Sequence, residues 1–409
     1  MPDLSAVICP PYDIISAEQR ARLAARDPRN AVHVELPASA SDTPPGEAAY
    51  RAAGELFARW QGDGTLRREE RPLIYVYEQR YRLDDGSAGR CRGFFCGLRL
   101  EQPGRDAGVR PHEHTLAAPK EDRYRLLRAV RANLSPVLLL YQHAAGDVPP
   151  AQLLDRLTDR PAEREATADD GIVHRLWTAD PALSAEAAQL LAAAASGPLT
   201  IADGHHRYQT ALRFRDETAV ASRAEDAAAD FVLALLYEAA SGGLRIAPTH
   251  RLISGVGDTE SLFAALGELL AVEHHARPAN VLNAIRNGGI GIWTRHGGAR
   301  LAVPGERGRA TLSAGERELD VSVLARALPR LLGVTTDELE RRGVLWYTRA
   351  ADEAVHSVDD GTADAAFLLN PTPIESVLSH AARGEVMPPK STYFEPKAAT
   401  GLVFNPLSD

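Results

Sequence analysis

Residues 198–213 read Pro-Leu-Thr-Ile-Ala-Asp-Gly-His-His-Arg-Tyr-Gln-Thr-Ala-Leu-Arg. The apolar run Leu199 to Ala202 suits a short buried strand, and Asp203-Gly204 marks its end. Tyr208, Ala211 and Leu212 then repeat at helical spacing, so a helix is expected to start near His205 or His206. Asp203 is placed to cap it, and Gly204 allows a sharp, close-approaching backbone. The first turn of a helix leaves backbone N–H groups without intrahelical partners, which suits an anion such as phosphate. Asp203, His205, His206 and Arg207 put a carboxylate, two imidazoles and a guanidinium on this turn. A capped helix with a polar surface start is the plain alternative.

Outward from this stretch, bulk properties narrow the class. The chain has 409 residues, enough for two or three domains, with 44% hydrophobic and 25% charged content, as in ordinary globular proteins. A net charge of −9 disfavours non-specific nucleic-acid binding. No apolar run approaches the length of a membrane span, and the N-terminus lacks a signal-peptide pattern. Cys9, Cys91 and Cys96 form no C-x-x-C pair, which fits a reduced cytoplasm and argues against a thiolate zinc site. Among 46 basic residues the only lysines are Lys120, Lys390 and Lys397. A compact ammonium is not interchangeable with a guanidinium at a site, so these three merit inspection.

Upstream, Pro10-Pro11-Tyr12-Asp13 forms a stiff loop, and Ser16 caps a helix over 17–25. Ala31 to Leu36 alternates and reads as a strand, with His33 and Glu35 on one face. A helix is expected over 46–62, and strands over 73–83 and 91–100 flank an Asp84-Asp85-Gly86 turn. His112 and His114 alternate around Glu113, ahead of a helix running from Lys120 to about Ala132. Its Arg125, Arg128 and Arg131 face reads as solvated, while Lys120, Arg123 and Arg131 are able to pair with phosphates or carboxylates. The segment 136–142 reads as a buried strand, and 143–170 as a linker or exposed insertion. A helix over 181–195 is expected with Asp180 as its cap.

Downstream, 219–226 reads as a loop, 231–237 as a strand, and 244–253 as a strand broken by Pro248, with His250 and Arg251 past the break. Region 254–370 reads as support. Helices are expected at 258–271, 279–287, 321–332 and 335–341, and strands at 289–294, 300–303 and 365–369. His274 and His275 are expected at the surface. A helix over 374–382 precedes a Pro- and aromatic-rich tail that is expected to be tied down. Lys390-Ser391-Thr392 lacks the upstream glycines of a Walker A loop.

Together, Pro10-Pro11-Tyr12-Asp13, His112-Glu113-His114-Thr115, Asp122-Arg123, Asp203-Gly204-His205-His206-Arg207, His250-Arg251 and Lys390-Ser391-Thr392-Tyr393-Phe394 with Pro396-Lys397 resemble the domain-of-unknown-function family 1015. The resemblance spans nearly the whole chain. Family members usually carry about ten more residues before the Pro-Pro-Tyr-Asp, which implies that a first strand is missing here. The Asp-Gly-His-His-Arg loop is in turn similar to that of the ParB/sulfiredoxin superfamily, whose strand–loop–helix binds nucleotide phosphates and which includes a free serine kinase. That resemblance implies a mixed α/β (α+β) fold: a ParB/sulfiredoxin-like core with a mostly mixed sheet and flanking helices, plus an α/β support region. The expected division is a core over 1–218, a support region over 219–370, and a segment 371–409 packing back on the core.

What the resemblance implies for chemistry is a nucleotide-dependent phosphotransferase acting on a small, serine-like hydroxylated metabolite. Asp203 would be the base, with His206 and an upstream carboxylate, carried over to Glu35, as further catalytic candidates. Gly204, His205, Arg207, His112, His114, Lys120, Arg123, His250, Arg251, Lys390, Ser391, Lys397, Tyr12 and Asp13 are the candidates for holding phosphate or substrate. Sulfiredoxin chemistry is not expected, since His205 stands where its reactive cysteine would be. The implied cofactor is ATP or ADP with magnesium. The implied partners are a small-molecule substrate and the nucleotide, with no nucleic acid and no membrane, and a homodimer is compatible with this. Two rivals stand: a metal-dependent phosphatase or other hydrolase built on His112, His114, His205, His206 and His250, and a nucleotide-binding regulatory module without catalysis.

Overall fold

A computed structural model describes residues 3–407 apart from 38–45, 84, 114–116, 145–147, 219–226, 256–262, 265, 268–269, 276–280, 282–283, 286–288, 296–297, 306–318 and 333–334. His114, the loop 219–226 and most of the helices expected at 258–271 and 279–287 lie outside the described residues. The chain forms two compact units, Met1–Arg245 with Pro396–Asp409, and Ile246–Glu395.

The first unit is a mixed α/β layer structure. Its strands are β1 (Ile74–Arg82), β2 (Ala88–Arg99), β3 (Val109–Arg110), β4 (Ala132–Asn133), β5 (Val137–Tyr141), β6 (Arg164–Thr167), β7 (Val173–Ala179), β8 (Leu199–Asp203) and β9 (Phe231–Glu238). Eight of them make one sheet in the order β3-β8-β5-β9-β2-β1-β7-β6. Pairs β3·β8 and β5·β9 are parallel and the others antiparallel, so the sheet is mixed. Its helices are α1 (Leu4–Val7), α2 (Ala17–Arg26), α3 (Val32–Glu35), α4 (Glu47–Gly62), α5 (Ala117–Val130), α6 (Pro150–Leu157), α7 (Ala185–Ala195) and α8 (His205–Thr218).

The period-2 pattern decides what each sheet face packs against. Ile74, Val76, Phe94, Val137, Leu139 and Trp177 join Leu153 and Leu154 of α6, Leu190 of α7 and Tyr208 and Leu212 of α8 in one core. Each large apolar side chain buried there contributes about 1.5–3 kcal/mol. Helices α4 and α5 form a second cluster through Tyr50, Phe57, Trp60, Leu126 and Val130. Strand β4 pairs with Asn405–Pro406, and Cys9 exchanges backbone hydrogen bonds of 3.0 and 2.9 Å with Thr400. These pairings hold the C-terminal tail against the N-terminal segment.

Several local expectations change. Ala31–Leu36 is not a strand: Val32–Glu35 makes one helical turn. Asn30 accepts the Val32 N–H at 3.0 Å and donates to the carbonyls of Ala6 and Ile8, so side-chain bonding supplies the turn and no ladder forms. The segment 143–170 is not a loop: it carries α6 and the edge strand β6, and Leu153 and Leu154 are buried. The cap of α7 is Ser184, which accepts the Ala187 N–H at 3.2 Å, while Asp180 closes the preceding turn by accepting from Ala182. Helix α5 begins at Ala117 and stops at Val130, because Arg131 adopts φ +53°. Strand β7 and the unit-two elements 345–348 and 351–359 carry no expectation at all, and the strand Leu270–His275 begins at the end of the stretch 258–271 expected as a helix.

The second unit holds a six-stranded sheet in the order Leu270–His275, Gly298–Pro304, Ile290–Thr294, Ala365–Leu368, His250–Ile253, Leu345–Thr348. Its core gathers Leu252, Val281, Ile285, Val358 and Leu368. Helices Asp320–Leu332, Thr336–Arg341, Ala351–Asp359 and Ile374–Arg383 complete it. Among the described residues no helix is long and apolar enough to cross a membrane.

Candidate functional site

Strand β8 carries Asp203 to its C-terminal end, and α8 starts two residues on. Gly204 makes the join at φ +90°, where a Cβ would stand 3.0 Å from the Arg207 guanidinium. A side chain there would be strained as well as crowded. Asp203 lies before the helix and does not cap it: its Oδ1 accepts the Gly204 N–H at 2.7 Å. Its Oδ2 is 3.0 Å from Lys397 Nζ and 3.4 Å from Arg207 Nη2. Burial would raise the Asp203 carboxyl, but Lys397 and then Arg207 outweigh it and hold the group well below the usual carboxylate range. Asp203 is therefore a part-buried carboxylate held ionised between two cations.

Each of those cations is held in turn. Arg207 donates to the Pro136 carbonyl. The carbonyl of Lys397 accepts from Gln79 at 2.8 Å, and the Gln79 side-chain oxygen accepts from Tyr237 at 2.9 Å. The Ala399 N–H donates to the Tyr77 hydroxyl at 3.2 Å. The interior strand β1 thus fixes the backbone on both sides of Ala398 and aims Lys397 at Asp203.

Two imidazoles adjoin the turn. His112 is fully buried, its Nδ1–H donates to the Ile201 carbonyl at 2.5 Å, and its backbone N–H donates to His205 Nε2 at 3.3 Å. The rings meet edge to face with centroids 4.7 Å apart. Burial, reinforced by His112, pushes His205 well below its ordinary range, so it is neutral. These contacts occupy one ring nitrogen on each histidine. Among the described residues no three His, Cys, Asp or Glu side chains gather as a metal-holding group.

A neighbouring cavity is lined by Tyr12, Glu35, Arg123, Ser135, Arg207 and Thr210. The Arg123 guanidinium lies 4.1 Å from the Tyr12 ring centroid, ion-pairs with Asp122 and donates to the Glu35 carbonyl at 2.8 Å. Burial pushes the Tyr12 phenol up to about 12. Glu35 is 2% exposed and accepts from Ser135, whose hydroxyl also lies 3.1 Å from that of Thr400. Arg207 belongs to both this cavity and the Asp203 cluster, so the two are continuous.

Of the candidate residues, Tyr12, Glu35, His112, Arg123, Asp203, Gly204, His205, Arg207 and Lys397 come together in the first unit. His206 lies on the first turn of α8, Lys120 on the first turns of α5, and Asp13 is exposed beside Tyr12. His250, Arg251, Lys390 and Ser391 belong to the second unit. There His250 Nδ1 accepts the Leu369 N–H at 3.1 Å, Arg251 donates to the Lys390 carbonyl at 3.0 Å, and Ser391 donates to the Pro388 carbonyl at 2.5 Å. Ser135, Gln79 and Tyr77 escape the sequence reading. The available signal is a buried polar residue inside an apolar strand, as at Gln79, which is 0% exposed.

A family model described as "Protein of unknown function (DUF1015)" matches residues 1–322. The chain belongs to the DUF1015 family. The matched span takes in the Asp203 turn and ends before Lys397. No curated protein matches this DUF1015 chain. Among solved structures it is similar to a conserved hypothetical protein from Pyrococcus furiosus (15% identity, TM-score 0.38, covering 74% of this chain and 90% of that one). It is also similar to a free serine kinase in complex with AMP (16%, 0.40, 74% and 86%). A third is SbnI with C-terminal truncation from Staphylococcus aureus (11%, 0.38, 75% and 85%).

Proposed function

We propose that this DUF1015 chain is a nucleotide-dependent phosphotransferase acting on a small hydroxylated metabolite. The observation that carries it is the part-buried carboxylate Asp203 held between Lys397 and Arg207 at a strand–glycine–helix turn. Phosphoryl transfer asks for positioning and charge neutralisation more than for covalent chemistry. Lys397 and Arg207 supply cations that can exchange Asp203 for a phosphate oxygen, and the first turn of α8 offers N–H groups to the same anion. Once the phosphate takes up Lys397 and Arg207, the cations that depress Asp203 are drawn away from it, and its carboxylate becomes the acceptor for the proton of the attacking hydroxyl. Arg123 and Arg207 in the adjoining cavity suit a substrate carboxylate, with Glu35 beside them. Magnesium would arrive on the nucleotide phosphates, which need few protein ligands.

The test is a thermal-shift screen with ATP, ADP and CTP, followed by a metabolite-wide kinase assay on wild type and Asp203→Ala. We expect at least one nucleotide to stabilise the wild type, and transfer to a hydroxylated metabolite to vanish in the variant. No protection by any nucleotide would overturn the proposal.

A further inference from the structure

A second concavity of the first unit opens on the other side of Lys397. Its lining is mixed: Pro10, Pro11, Ile14 and Ala398 are apolar, while His174, Lys397, Asp170 and the Arg26–Asp169 ion pair are polar or charged. Ile14 is 37% exposed, one of the few large apolar side chains left open to solvent among the described residues. His174 is the informative residue. It is 3% exposed, and its Nδ1 lies 2.6 Å from the Tyr77 hydroxyl. That hydroxyl already accepts the Ala399 N–H, and His174 Nδ1 is the only acceptor it meets among the described residues. The phenol hydrogen therefore goes to Nδ1. The imidazole proton is left on Nε2, which has no partner among the described residues. That N–H, on an almost fully buried ring in the cavity wall, is placed to donate to an acceptor of a bound ligand.

Two chain segments tie this cavity to the Asp203 cluster. Lys397 lines the cavity while its ammonium lies 3.0 Å from Asp203. Pro10 and Pro11 line it too, and the next residue, Tyr12, lines the cavity that contains Arg207. An occupant that uses both features carries an acceptor for His174 Nε2–H, rests on Pro10, Ile14 and Ala398, and is joined to an anion that reaches Lys397.

We propose that the Pro10–Ile14/His174/Ala398 cavity holds the nucleobase of the phosphate donor, with Lys397 bridging base and phosphate subsites. It rests on the phosphotransferase reading above, and the two can fail separately.

The test measures Kd by calorimetry on the full chain for adenosine, ADP, cytidine, CDP and inorganic tripolyphosphate. Two variants are compared with wild type. Ile14→Trp fills the mouth from an exposed position. His174→Asn keeps an acceptor for Tyr77 but removes the Nε2 donor. The expected result is a weakening of the bound nucleoside and its diphosphate by about tenfold or more in both variants, with tripolyphosphate unchanged. Nucleoside diphosphate binding equal to wild type in both variants overturns the base subsite while leaving the phosphotransferase standing. Equal loss of tripolyphosphate and nucleotide also overturns it, since the cavity would then not be separate from the phosphate site. Failure of every nucleotide to bind wild type overturns both proposals.

Discussion

Lys397 Nζ stands 3.0 Å from Asp203 Oδ2, although the two residues are 194 positions apart. The ammonium is aimed by β1, through Gln79 on the Lys397 carbonyl and Tyr77 on the Ala399 N–H. The pair is the main offset to the desolvation of Asp203, with Arg207 second.

Removing the ammonium tests that offset. Lys397→Met should cost roughly 1–3 kcal/mol in urea unfolding, because it leaves a part-buried carboxylate with Arg207 alone. Transferase turnover should fall with it. Lys397→Arg should restore most of the stability and little of the turnover, since a planar fork does not replace a point charge in this geometry. Equal stability of wild type and Lys397→Met would show that the pair contributes nothing net.

Buried histidines should make the fold lose stability to acid already between neutral pH and about 4. Burial lowers His174 from 6.5 to about 4. Between those values the unfolded chain binds the proton and the folded chain does not, so stability falls as pH drops through that window. For His174 the loss is about 3 kcal/mol. His250, lowered to about 4 by burial and then by Arg251, and His205 act in the same direction. Asp203 is depressed, so its contribution is complete above its unfolded value near 4 and is lost only as pH falls further. Urea midpoints measured between pH 7 and pH 4 should decline steadily, and the decline should be shallower in His174→Asn.

Gly204→Ala places a Cβ at φ +90° and 3.0 Å from the Arg207 guanidinium. The expected cost is roughly 1–2 kcal/mol. Displacement of Arg207 should weaken nucleotide affinity as well, read as a smaller thermal shift at fixed ADP. A variant with full stability and full shift would show that the turn tolerates a side chain.

Glu35→Gln keeps the hydrogen-bonding shape that receives Ser135 while removing the charge. Under the proposed chemistry, turnover should fall on the order of 10²-fold, with ADP affinity unchanged. A variant with wild-type turnover would confine Glu35 to a structural role beside Ser135 and Thr400.

The strand–glycine–helix turn was legible in the chain because its signals are local. An apolar run, a glycine and a helical repeat sit within sixteen positions at 198–213, and β8 and α8 form there. The hairpin β1–β2 and the helix capped by Ser16 were legible for the same reason. Where two local patterns compete the reading failed: Val32 and Val34 alternate as in a strand, but Asn30 binds the backbone into a turn. The scarcity of lysine singled out Lys397, yet nothing local says which carboxylate it meets. That is decided by strand order, since β1, an interior strand of the sheet, receives the C-terminal segment. The same holds for the proton on His174 Nε2, which follows from Tyr77 on a neighbouring strand. Residue types and short-range spacing carry the elements and their chemical inventory. Pairing between distant segments, with the burial that comes with it, sets which charges face each other and which groups are left to meet a ligand.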